Sequence, residues 1–147
     1  MIIGWSVPFN ELAKKAEADL DDVIRSVTIE LFTRVIQKSP VDTGRLRANW
    51  FPSFGTYAET TTEDVDPSGS GAVSRASDAV LSYKVRDGIV YLTNSLPYAR
   101  VIEYGEYPNP PKSGTKTSGG FSTQAPQGMV RVSAAEIEGI VRERLRS

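Results

Sequence analysis

Between Phe9 and Lys38 the chain places Leu12, Ala13, Ala16, Leu20, Ile24, Val27, Leu31 and Val35 at steps of three and four, and Val23, Phe32 and Ile36 widen the same face. That rhythm is one side of an amphipathic helix. Ser6 or Asn10 supplies a capping side chain at its start. Pro40 forbids its continuation, with Ser39 pushed toward extended geometry by the proline that follows. The expectation is one helix of about 30 residues, about 45 Å long at the standard rise. A globule of this chain length has a radius of gyration of roughly 15 Å and is about 38 Å across. Such a helix must therefore kink around its own core or overhang and pack on another subunit.

The rest of the chain reads as short elements. From Val41 to Phe54 the period changes, with Leu46, Ala48 and Trp50 alternating against Arg45, Arg47 and Asn49 as in a half-buried strand. Residues 59–78 form a polar Gly- and Ser-bearing loop, and Ala76 to Val85 reads as a short helix ending at the Asp87-Gly88 turn. Ile89 to Thr93 is a β-branched strand, paired antiparallel with 45–54 as the economical choice. Leu96 to Tyr104 is a two-turn helix with Pro97 at its first position and Gly105 as its stop. Residues 106–124, rich in Pro and Gly, have no period and are expected to be mobile on their own. Ala125-Pro126-Gln127-Gly128 opens a last helix carrying Val130, Ala134, Ile137, Val141 and Leu145, with Arg142, Arg144 and Arg146 at its negative end. A capping box at Ser133 to Glu136 offers a later start. The expected fold is α+β: one domain over 1–147, with the long first helix and the last helix on one face of a small antiparallel sheet.

Composition removes much chemistry. The sequence has no cysteine and no histidine, which excludes disulfides, thiol nucleophiles, Ser-His triads and nearly all zinc or transition-metal sites. Its formal charge of -1 gives no global attraction to nucleic acid or to an anionic membrane. No apolar run approaches the roughly 20 residues needed to span a bilayer. The start, MIIGWSVPFNELAKK, has its charges after a short apolar opening, the reverse of a secretory leader.

Asp42-Thr43-Gly44 spells the triplet of aspartic proteases. That chemistry needs two facing carboxylates sharing a proton. Here there is one triplet, so a homodimer is required, and Arg45 places a cation beside the pair. The architectural reading uses every letter: Pro40 stops the helix, Asp42 accepts from the amides of Gly44 and Arg45, Gly44 takes a positive φ, and Arg45 begins the strand. Glu103 with Glu106 and Asp42 offers carboxylates for glycoside hydrolysis, but nothing in the sequence makes them face one another. Lys112, Lys116 and Arg100 lie near Tyr98, Tyr104 and Tyr107 in sequence, a basic and aromatic mixture of the kind found on nucleic-acid-binding modules.

Taken in order, the long helix, SPVDTGRLRANW, IVYLTNSLPYARVIEYG and APQGMVRVSAAEIEGIV resemble the tail-completion or neck proteins of long-tailed bacteriophages, the minor tail protein Z-like group. The matching pieces are Pro40 to Arg47, Asn94 to Gly105 and Pro126 to Met129, over about 90 residues with the long helix ahead of them, and the resemblance spans most of the chain apart from the loops 59–78 and 106–124. The resemblance implies a non-enzymatic virion protein, assembled in the bacterial cytoplasm, that forms a homo-oligomeric ring, commonly of six copies. The ring would complete the tail and join a head-proximal connector or stopper protein to the tail terminator or tube, with genome DNA passing through without specific binding. It implies no catalytic, cofactor or metal residues, and no membrane. Its signature residues are turn and packing positions: Pro40, Asp42, Gly44, Leu46, Trp50, Asn94, Pro97, Tyr98, Ala99, Glu103, Gly105, Pro126 and Met129. Lys112, Lys116 and Phe121, on the second loop, are the candidates for partner contact.

Overall fold

The computed structural model describes residues 3, 4 and 7–147. The expected single helix is two. Helix α1 (Phe9–Ala16) stops at Glu17, which takes left-handed geometry at φ 53° and ψ 39°. The amide of Glu17 donates to Lys14 O and that of Ala18 to Ala13 O, a Schellman closure. Asp19 then caps a new start, its carboxylate accepting from Asp22 N at 3.3 Å, and α2 (Leu20–Lys38) begins. Of the two expected caps for the first segment, Ser6 lies outside the described residues and Asn10 sits inside α1, which has Pro8 at its N-cap.

The kink therefore prevails over the overhang. Helix α1 folds back onto α2 and α6 (Val130–Arg146). Leu12, Ala13, Val27, Leu31, Phe32, Val35 and Ile36 are all buried in the chain's own core. The Lys15 ammonium latches this arrangement by donating to the carbonyls of Leu145, at 2.8 Å, and Ser147.

The strand expected from Arg45 is corrected too. Arg45–Ala48 is one helical turn, α3, and strand β1 is Trp50–Phe54. Asn49 joins them, fully buried, donating to the carbonyls of Arg45 and Thr62 and accepting from Thr62 N. The loop expected over 59–78 ends at Gly69, where α4 (Ser70–Leu81) begins. Ala72, Ala76 and Val80, four apart, form its buried seam, and small side chains there let α4 approach α2 and β1 closely. The Ser, Asp and Arg residues between them obscure that seam in the sequence.

A 3-10 turn at Val85–Asp87 leads to β2 (Val90–Asn94), which pairs antiparallel with β1 in the register Trp50↔Asn94 to Phe54↔Val90. Helix α5 (Pro97–Tyr104) has Pro97 in its first turn and Gly105 as its left-handed stop, as expected. Two short strands, β3 (Thr117–Ser118) and β4 (Phe121–Ser122), make a second antiparallel pair within the loop read as mobile. The fold is α+β. Its layering differs from expectation: the helix packed on β1 is α4, and α2 contacts both α4 and α6. Among the described residues no helix is long and apolar enough to cross a membrane.

Candidate functional site

The residues singled out from the sequence gather at two joints. The first is the elbow after α2. Gly44 has φ +96°, and a Cβ added there would stand 2.5 Å from the backbone nitrogen of Pro67, so both its conformation and its surroundings require glycine. Its carbonyl accepts from Ala48 N at 3.1 Å and Asp66 N at 3.0 Å, tying the elbow to the following loop. Asp42 is exposed, and the amide of Arg45 is held instead by Thr43 Oγ1 at 3.2 Å. The carboxylate expected to organise this turn does not do so. Arg47 closes the joint by donating to the carbonyls of Gln37, Ser39 and Pro67 at 2.8 to 2.9 Å. Trp50, 3% exposed, donates through Nε1 to Ser39 Oγ at 2.8 Å, and Ser39 Oγ donates to Val35 O. Leu46 is buried, while Pro40 is half-buried beside this network.

The second joint connects β2, α5 and α6. Asn94 ends the strand by donating through Nδ2 to Leu46 O at 2.9 Å and accepting at Oδ1 from Leu96 N. Ala99 and Ile102 face the core, so Glu103, next on that side of α5, enters it as well and is 0% exposed. Its carboxylate accepts from the amides of Met129 and Val130 at 2.7 Å each, from Arg131 N at 3.1 Å and from Arg131 Nε at 2.8 Å. The Glu103 carbonyl accepts from Arg131 at 2.7 Å. Helix α6 thus has its first orphan amides satisfied by a carboxylate from another helix, with the favourable sign for a helix N-terminus. Gly128, at φ +79°, permits this approach, since a Cβ there would lie 2.7 Å from Glu103 O. Ser133, the alternative start, instead donates to Met129 O from inside the helix.

Tyr98 and Pro97 are exposed at the start of α5. Partial burial raises the Tyr98 phenol above its ordinary value, Arg45 opposes this, and Tyr107 and Asp42 add to it. Gly105 lies beneath the Phe121 ring, and Tyr107 N donates to Gly120 O at 3.0 Å, so the base of the 106–124 loop is pinned. Gln124 exchanges two hydrogen bonds with the backbone of Val41, at 2.9 and 3.0 Å. Pro126 is exposed and Met129 fully buried. Lys112 and Lys116 are exposed, and neither is ion-paired among the described residues. Arg100 is engaged by Glu106 at 3.3 Å and lies over Tyr104, whose ring also carries Arg131.

The carboxylates considered for hydrolysis do not form a pair. Glu103 is enclosed with its acceptor capacity spent, Glu106 is bound to Arg100, and Asp42 stands outside. An open groove of about 690 Å³ beside α4 is lined by Glu63, Asp64, Asp66 and Arg75. Among the described residues no group of three or more carboxylates is placed to hold a metal ion. The sequence reading missed Asn49, Arg131 and Arg75. Arg75 donates to the carbonyls of Ala48 and Trp50 at 2.7 to 2.8 Å and stacks on Phe51, and burial lowers its pKa against the upward pull of Asp66 and Asp64. Nothing in its sequence neighbourhood, Ser74 on one side and Ala76 on the other, points to this role. No family model, no curated protein and no solved structure matches this chain.

Proposed function

We propose that this chain is a structural subunit of a ring, commonly of six copies, at the neck of a long-tailed bacteriophage, where it completes the tail and joins a head-proximal connector to the tail terminator or tube. What supports the reading is the use made of the residues that carry the resemblance. Asn94 and Glu103 are spent on tying elements together, Asn94 by donating to the Leu46 carbonyl and Glu103 by accepting four hydrogen bonds from Met129, Val130 and Arg131, so these polar residues of the pattern serve architecture. The loop that leaves this junction presents Lys112 and Lys116 outward from a pinned base, as a docking loop does.

Charge reversal tests the reading. The double variant Lys112→Glu, Lys116→Glu keeps the fold, because neither ammonium holds anything in place. Supplied in place of the wild-type chain during particle assembly, it should leave full heads and finished tails unjoined, seen by electron microscopy. Joined particles at wild-type yield, or purified particles lacking this chain at the head-tail junction, contradict the reading.

A further inference from the structure

The two edges of the β1-β2 pair are treated differently. Gly55 N donates to Ile89 O across the pair, so the hydrogen-bonded positions are 51, 53 and 55 on one side and 93, 91 and 89 on the other. Trp50, Pro52 and Phe54 therefore direct their backbone groups away from β2, and Val90, Leu92 and Asn94 direct theirs away from β1. The β1 edge is blocked: Pro52 has no N–H, and Arg75 occupies the carbonyl of Trp50. The β2 edge has no such device. Its sequence VYLTN contains no proline and no charge, and no hydrogen bond reaches the outward groups of Val90 or Leu92 among the described residues. Ile89, at its start, is 64% exposed.

The chain also carries an unpaired segment suited to such an edge. Tyr57 to Thr61 is exposed apart from half-buried Ala58, has no regular structure, and makes no backbone hydrogen bond among the described residues. Tyr and Thr favour strands. Tyr57 fixes one end by packing edge-on against Tyr91 at 4.9 Å, and Thr62 fixes the other through Asn49. Charges agree. The stretch from Gly55 to Gly69 holds Glu59, Glu63, Asp64 and Asp66 with no Lys or Arg, and of these Glu63 is paired with Arg45 at 3.1 Å, whereas Lys84 and Arg86, exposed just before β2, have no ion-pair partner among the described residues.

We infer that the outer edge of β2 takes the Tyr57 to Thr61 segment of a second copy of this chain as an added strand, giving a head-to-tail contact that Lys84 and Arg86 favour over the acidic loop. Backbone hydrogen bonds supply the attraction, as in strand addition generally. A contact between two different surfaces repeats from copy to copy and closes when the rotation allows. The inference deepens the ring reading and rests on it for closure.

Two substitutions separate the halves of the contact. Leu92→Pro removes an outward N–H, mirroring Pro52 directly across the pair, and costs the β1-β2 ladder nothing. Thr60→Pro removes an N–H that has no partner among the described residues of one copy. In sedimentation of the purified chain the wild type should assemble beyond a dimer. Each variant should need at least about tenfold more protein to do so, as expected for losing one or two good hydrogen bonds. Mixed one to one, the variants should form a complex that stops at two, because one retains only the acceptor edge and the other only the donor segment. A monomeric wild type, assembly unchanged in Thr60→Pro, or no complex on mixing overturns the inference. Should Leu92→Pro fail to fold by circular dichroism, Thr60→Pro alone decides. Assembly through another surface, with joined heads and tails, would overturn the strand contact and leave the neck reading standing.

Discussion

At the scale of single residues, two carboxylates read alike in the sequence and fare differently in the fold. Glu103 is enclosed and accepts four hydrogen bonds, while Asp42 is exposed and accepts none among the described residues. Glu103→Ala leaves three amides of α6 and a guanidinium without their acceptor and should cost about 3 kcal/mol or more, measured by urea unfolding. Glu103→Gln should lie between, since an amide supplies one acceptor but sets its own N–H groups against those of Arg131. Asp42→Asn should change stability by no more than about 0.5 kcal/mol. Gly44→Ala, forced into a positive φ against Pro67, should cost about 2 kcal/mol or more. If Asp42→Asn proved as costly as Gly44→Ala, the aspartate would be the organiser of the elbow after all. The sequence reading assigned the elbow turn to the wrong side chain, because Asp42 and Thr43 are equally able to cap a turn. It could not reveal the role of Glu103, whose partners begin 26 residues further on.

Among the elements, those with punctuation of their own were legible. Helix α5 has proline at its start and glycine at its stop, and β2 is a β-branched run after a turn. The break between α1 and α2 was not legible, because Ala16 and Leu20 keep a four-residue step across it. Nor was α3, since one turn is too short to show a period. Glu17→Gly discriminates between one helix and two. Within a continuous helix it would cost up to about 1 kcal/mol, whereas at a left-handed stop it relieves a side-chain clash and should stabilise by up to about 1 kcal/mol. The packing of α2 on α6 is reinforced by Glu136, which accepts from Lys38 at 3.3 Å and Arg34 at 3.2 Å. Burial pushes its carboxyl upward, but these two partners outweigh it and hold the value below the ordinary range. A depressed carboxyl contributes stability above its unfolded value, near 4.3, and loses that contribution as pH falls through the folded one. Glu136→Gln should therefore lower the urea midpoint slightly at pH 7, and the gap should close on acidification toward the folded value. A gap that is constant with pH would deny the linkage.

Over the whole molecule, the class α+β was legible from the order of elements, while the arrangement of layers was not. The helix packed on β1, α4, was hidden within a segment whose outer face is rich in Ser, Gly and Asp. The cap from Glu103 to α6 bridges a loop whose lysines are exposed, so covalent continuity between Gly105 and Gly128 is not what holds the last helix in place. Trypsin cutting at Lys112 or Lys116 should yield two fragments that migrate as one species in native electrophoresis and part only in denaturant. The same two pieces, expressed separately, should find each other and restore the parent circular dichroism spectrum, which would make this chain a natural split reporter.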